Sequence, residues 1–317
     1  VGQHDLSVWL GFTGLVVGLL VLDLGVLNRR SHVLTFKEAL SWSGGLITVA
    51  LLFGLFVLWR EGTQSALEYY TGYLIELSLS VDNLFVFLLI FSYFGVRAEA
   101  QPKVLKWGIL GAIVMRLIMI ALGALLLERF NWIIYVFGAV LIYTGIRMFT
   151  QKDAAVDLER NPVVRLARRF LPFSDSYDGA RFFTRTVRGK LLGTPLLLVL
   201  LVVEWSDLVF AIDSIPAIFA ITRDPFLVYS SNIFAILGLR ALFFVLASML
   251  DKFVYLKPGV ALILVFVGLK MTLSAWVHIP TLLSLLVIVT TLVAAVGFSL
   301  RHSAREERLA ASTPELL

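Results

Sequence analysis

Two short stretches of this chain place acids where apolar residues are expected. Residues 76–83 read ELSLSVDN and residues 207–214 read DLVFAIDS: an acid, five residues, a second acid, then a small polar residue. Each stretch lies inside a run apolar enough to cross a bilayer. A charged side chain there costs about 2.5–3.5 kcal/mol on insertion scales, so such residues are functional candidates by default. At about 100° per residue, Glu76, Ser80 and Asn83 share one helix face, with Asp82 about 100° round from Asn83. Asp207 and Ser214 stand in the same relation to Asp213, and each acid pair spans roughly 9 Å of a regular helix. Pro216 removes a backbone donor and crowds the Ile212 carbonyl, which would offer one more oxygen beside the second pair.

Counting charges within the apolar runs gives the chemistry. With Lys106, Arg147, Lys257 and Lys270 set aside as lying toward run ends, Asp23, Glu76, Asp82, Glu204, Asp207 and Asp213 face Arg116 and Arg240, a formal excess of negative charge that protons or a divalent cation would offset. The chain has no cysteine and four histidines, His4, His32, His278 and His302, all in loops or tails. A site built from carboxylate, amide, hydroxyl and carbonyl oxygen suits hard ions such as Mn²⁺, Mg²⁺ or Ca²⁺. The candidate ligands are Glu76, Asp82, Asn83, Asp207, Asp213, Ser214, Asp23 and Glu204, with Arg116 and Arg240 as internal counter-ions. Blander roles stand beside these. Asp23 could reach the membrane interface, Glu204 could pair with an arginine, and Asn83 and Ser214 could hydrogen-bond between helices.

The elements that must position these groups are helices. The 317 residues are 59% hydrophobic and 15% charged, with a mean hydropathy of +0.90, which is the composition of an all-α polytopic membrane protein. Nine runs are long enough to span about 30 Å of hydrocarbon: 6–27, 40–59, 70–94, 105–127, 131–149, 194–221, 226–249, 256–276 and 281–300. The first has full span length with Arg29 and Arg30 behind it, so it reads as a retained helix and not as a cleaved signal. Trp42, Trp59, Tyr69, Tyr70, Trp107 and Trp276 fall near span ends and read as an interfacial belt.

A net charge of +5 could suggest nucleic acid, but its distribution argues for a lipid partner and no nucleic acid. With the N-terminus outside, 21 of the 27 Lys and Arg fall on the opposite side and only Arg60, Arg129 and Arg223 on the outer one. That is the positive-inside pattern of an inner (plasma) membrane protein with the N-terminus out and the C-terminus cytoplasmic.

The second half of the chain echoes the first. After the acid pairs come Arg116 and Arg240, then Glu128-Arg129-Phe130 and Asp251-Lys252-Phe253, then GIRM at 145–148 and GLKM at 268–271. Four landmarks in order imply a duplicated three-helix unit, helices three to five and six to eight. An odd helix number makes the second copy enter the membrane in the opposite sense, an architecture recurrent among transporters. The chain then divides into two N-terminal spans (1–69), the first repeat (70–150), a basic cytoplasmic linker with partial helix (151–190), the second repeat (191–277), and a last span with its tail (278–317).

These residues resemble a known family. Glu76-LSLSV-Asp82-Asn83-LFVF and VEWSDLVFAIDSIPAIFAIT are similar to the two signatures of the TerC/Alx integral membrane proteins. The similarity continues through Asp23 with the following NRR, FGAVLIYTGIRM, SNIFAILGLRAL and VHIP. The resemblance implies roles in tellurium resistance, an alkaline-induced response and manganese homeostasis, and thus efflux of Mn²⁺ from the cytoplasm. It carries functional weight to Asp23, Glu76, Asp82, Glu204, Asp207 and Asp213.

The expectation is a transporter, not an enzyme, that exports Mn²⁺ through a midplane carboxylate site with protons as a plausible exchange ion. A membrane scaffold or stress-resistance protein with a structural metal site is the alternative. An intramembrane aspartyl protease would use Asp82 and Asp213, but the Gly-x-Gly-Asp context usual for such enzymes is absent.

Overall fold

The computed structural model describes residues 6–23, 35–130, 132–150, 162–185, 189–247, 255–274, 276–277 and 279–312. They form ten α-helices and one two-stranded ribbon: α1 (Leu6–Val21), α2 (Phe36–Glu61), α3 (Thr63–Tyr93), α4 (Gln101–Arg129), α5 (Ile133–Thr150), α6 (Pro162–Phe170), β1 (Phe183–Arg185), β2 (Leu191–Gly193), α7 (Pro195–Phe219), α8 (Pro225–Ala247), α9 (Leu256–Thr272) and α10 (Thr281–Ser312). Every helix but α6 occupies one of the nine apolar runs. Helices α2, α4, α7 and α8 and residues 281–303 of α10 are long and apolar enough to cross a membrane, while α1, α5 and α9 supply shorter apolar segments. The 31-residue α3 carries the first acid pair.

Local sequence sets the helix ends. Thr35 caps α2 through a capping box: its hydroxyl accepts from Glu38 N at 3.4 Å, and the Glu38 carboxylate accepts from Thr35 N at 2.9 Å, which satisfies two orphan donors reciprocally. Gly62, at φ +90°, takes a conformation that a Cβ would strain. That single residue folds α3 back on α2, and the Tyr69 and Tyr70 hydroxyls then donate to the Ala50 and Leu51 carbonyls at 3.0 and 2.8 Å. Helices α4, α7 and α8 carry Pro102, Pro195 and Pro225 in their first turns, where a missing N–H costs nothing. Helix α7 continues unbroken through Pro216.

Helix α8 is the centre of the bundle. Of its apolar window 83% is buried, against 17% for α10, which lies at the edge. Helices α2, α3 and α4 pack around α8; α3 and α4 also pack on α7, and α5 packs on α9. The α5–α9 seam is the tightest approach. A Cβ built on Gly268 would lie 2.8 Å from the Gly138 carbonyl oxygen, and one built on Gly145 would lie 2.8 Å from the Ala261 carbonyl oxygen. In a bilayer, where apolar burial gives no net drive, such backbone-to-backbone packing is what holds helices together.

The linker is more ordered than its polar sequence suggests. Helix α6 precedes an antiparallel ribbon that pairs Phe183 with Gly193 and Arg185 with Leu191. The Tyr177 hydroxyl donates to the Phe94 carbonyl at 2.6 Å, and Lys103 Nζ donates to the Ala180 carbonyl and stands over the Phe182 ring. These contacts dock the linker on the ends of α3 and α4. Burial pushes the Tyr177 phenol above its ordinary value. Residues 151–161 and the landmark Asp251-Lys252-Phe253 lie outside the described residues. Helix α10 runs to Ser312, twelve residues beyond the apolar run ending at 300, because its tail is rich in Ala, Arg and Glu, which favour helix in water as well as in lipid.

Candidate functional site

Helices α3, α4 and α7 each deliver one charged side chain to a common buried point. Glu76 and Arg116 are fully buried and Asp207 is 3% exposed. Arg116 Nη1 donates to Glu76 Oε1 and, at 2.9 Å, to Ser214 Oγ. Its Nε and Nη2 donate to Asp207 Oδ2 and Oδ1 at 3.5 and 3.3 Å. The planar fork of guanidinium matches the two oxygens of one carboxylate and leaves Nη1 to reach the second acid. One cation thus holds two anions from two halves of the chain, and the Glu76–Asp207–Arg116 group keeps a net negative charge when both acids are ionised.

The second arginine finds other partners. Arg240 Nη2 donates to Asp23 Oδ1 at the end of α1, and Trp42 Nε1 of α2 donates to the same oxygen at 2.6 Å. Both charged groups are buried, Asp23 at 4% exposure and Arg240 at 2%, so Asp23 does not reach an interface. The belt reading of Trp42 is corrected: its indole N–H serves a buried carboxylate. Tyr69 is likewise not an interfacial residue, being fully buried and bonded to α2.

The α3 face read from the sequence is present. Glu76, Ser80 and Asn83 are all buried. Among the described residues, Glu76 Oε2, Ser80 Oγ and Asn83 Nδ2 have no hydrogen-bond partner. The backbones of Asp82 and Asp213 are helical, but their side chains lie outside the described residues. Ser214 is brought in as a partner of Arg116. Glu204 is not part of the Arg116 group: its carboxylate lies against the backbone of α4 at Gly111, between an open groove with Trp107 and Val114 and a small cavity that it lines with Asp207, and among the described residues it makes no ion pair. Among the described residues no three Asp, Glu or His side chains converge on one point. Arg116 stands between Glu76 and Asp207 and bonds both.

Sequence reasoning passed over Asn232. It sits in the first half of α8 at 0% exposure, and neither its Oδ1 nor its Nδ2 has a partner among the described residues. An amide in an apolar run is the available signal, but in the sequence SNIFAILGLRAL stands out only as part of the family resemblance and for its Arg240.

With this geometry in hand, comparison with known proteins is informative. A family model described as the integral membrane protein TerC family matches residues 61–307. A Myxococcus xanthus protein named "Uncharacterized membrane protein STKORF319" is 50% identical over 310 residues, covering 98% of this chain and 97% of its own. The Escherichia coli K12 protein named "Putative membrane-bound redox modulator Alx" is 48% identical over 294 residues, covering 90% and 91%. A Rickettsia bellii protein named "Uncharacterized membrane protein" is 43% identical over 284 residues, covering 90% and 94%. No solved structure matches the chain.

Proposed function

The chain belongs to the integral membrane protein TerC family, and from that premise we propose that it exports Mn²⁺ from the cytoplasm in exchange for protons, through carboxylates midway across the membrane. The reading assigns nine spans, α1–α5 and α7–α10, in the plasma (inner) membrane, with the N-terminus outside and the C-terminus cytoplasmic. Helices α3–α5 and α7–α9 are two units of opposite sense. The packing supports this: exchanging the units maps α3 on α8 to α7 on α4, and leaves α5 on α9 unchanged. The α5–α9 seam supports it at residue level. Aligning GIRM with GLKM pairs Gly145 with Gly268 and Gly138 with Ala261, so the two close approaches, Gly138–Gly268 and Ala261–Gly145, exchange with each other.

The observation that carries the transport reading is one acid from each unit, Glu76 and Asp207, meeting in a fully buried place lined by oxygen donors. Two carboxylates with one arginine leave one negative charge, and Asp82 and Asp213, counted in this reading, leave three, which a divalent ion would offset in large part. In the ion-free state Arg116 holds both acids. A divalent cation competes for the same oxygens, with Asn83, Ser214, Asp82 and Asp213 as further ligands in this reading. Asp23 is held by Arg240 and Trp42 and serves as a support at the α1 end, and Glu204 lies off the centre.

Protons compete with Mn²⁺ for carboxylate oxygen, because metal binding needs the ionised form. Apparent Mn²⁺ affinity should fall as pH falls, with proton release on binding. The test is Mn²⁺ flux into lipid vesicles carrying the purified protein, for the parent and for Glu76→Gln and Asp207→Asn. Loss of most flux in both variants, with the parent active and pH-dependent, is expected; a parent that moves no Mn²⁺ would overturn the proposal.

A second reading keeps one specific observation in its favour. Arg116 already engages both acids, which is what a structural centre in a membrane scaffold or stress-resistance protein would need. In that case Glu76→Gln and Asp207→Asn lower stability without any flux to lose. The redox role printed for the Alx relatives would, in a chain without cysteine, run through metal handling and not through its own thiols.

A further inference from the structure

The seam between α3 and α8 holds a line of buried polar atoms that no ion pair explains. The two helices run in the same direction. Gly72, toward the start of α3, lies against Ser231, toward the start of α8, where a Cβ on the glycine would stand 3.1 Å from Ser231 Oγ. Further along, the Phe91 and Phe243 rings are 5.4 Å apart. Glu76 follows Gly72 by one turn and Asn232 follows Ser231 by one residue, so the two stand within about one turn, roughly 5 Å, of the same height. Asn232 shares its α8 face with Leu239, two turns on, and Leu239 lines a small cavity together with Phe87 of α3 and Glu204 and Asp207 of α7. The amide of Asn232 is thus on the face turned toward the acids.

The types of the unpartnered atoms discriminate between ligands. Glu76 Oε2 and Asn232 Oδ1 are acceptors, which can touch a cation or the hydrogens of water. Asn83 Nδ2 and Asn232 Nδ2 are donors, and Ser80 Oγ is both. A bare cation would leave the donors unserved, whereas a cation with part of its water shell offers water oxygen to donors and charge to acceptors. A purely structural asparagine in mid-span would bond to a neighbouring helix, because an unserved buried amide destabilises the fold.

We propose that the α3–α8 seam takes a divalent cation with part of its hydration shell, and that Asn232 is a ligand-facing residue of that route. The inference rests on the transport reading above, and the experiment separates the two. Asn232→Leu is nearly isosteric and removes both amide atoms. Purified parent and variant are compared in lipid vesicles for Mn²⁺ flux, in detergent for Tm, and with Mn²⁺ bound in D₂O for the number of exchangeable water deuterons seen by pulsed electron paramagnetic resonance. The expected result is a parent that moves Mn²⁺ and holds it with bound water, and a variant with Mn²⁺ flux at least tenfold lower, fewer bound waters and Tm equal or higher. A parent without Mn²⁺ flux overturns the transport reading and this inference with it. An active parent with a variant flux within twofold of it overturns this inference alone. A lower Tm in the variant also overturns it, because the amide would then be a structural bond. Asn232→Ser, which keeps a donor and an acceptor, restores part of the flux if the residue serves the ligand and none if only its shape matters.

Discussion

Arg116 in α4 and Arg240 in α8 each follow a helix that carries an acid pair, yet the surroundings of the two differ. Arg116 reaches across the bundle to acids from both halves and to Ser214. Arg240 turns away from them to Asp23, which Trp42 also bonds, and its Nε is left without a partner among the described residues. The end of α1 and the start of α2 bring a carboxylate and an indole together, and the carboxylate engages the arginine of α8. Similar sequence around two arginines therefore does not give similar contacts. Among the described residues, one guanidinium bonds Glu76 and Asp207, and the group stays acidic when both acids are ionised.

That comparison can be broken at several points. Arg116→Leu should have the largest effect, a loss on the order of 3–5 kcal/mol in detergent unfolding, because two buried carboxylates lose the one cation that pairs with them among the described residues. Equal stability of Arg116→Leu and Arg240→Leu would dissolve the distinction. Arg240→Leu should cost less, about 1–3 kcal/mol, since Asp23 keeps the indole donor. Adding Asp23→Asn to Arg240→Leu should recover part of that loss, as expected of residues in contact; strict additivity would show that the pair does not interact. The smallest effect belongs to Trp42→Phe, roughly 1 kcal/mol, and it should vanish in an Asp23→Leu background, where no acceptor remains for the indole N–H.

How much of this was legible in the sequence depended on what each feature required. Spacing alone put Glu76, Ser80 and Asn83 on one face, and charge counting alone assigned Arg116 to buried acids. Neither could choose which acids, because Asp207 lies 91 residues from Arg116 and Asp23 lies 217 from Arg240. Those pairings depend on which helices pack, and the apolar runs are too alike to specify it. Trp42 and Asn232 were obscured by averages: tryptophan near a span end usually marks an interface, and a lone asparagine usually bonds between helices. The ribbon of Phe183–Arg185 and Leu191–Gly193 was hidden at the end of a linker whose charge dominates its composition.

The glycine seam of α5 and α9 has a consequence for motion. Suppose each unit takes up the shape of the other, as a carrier of two opposed units does when it passes its binding place from one side of the membrane to the other. Gly138 against Gly268 becomes Ala261 against Gly145, and the reverse, so the contact set before and after is the same set. The seam is then a fulcrum: it can bear the turn at both ends of the stroke without being unmade, while the faces around Arg116 repack. Bulk at Gly145 or Gly268 would seize the bearing in either posture.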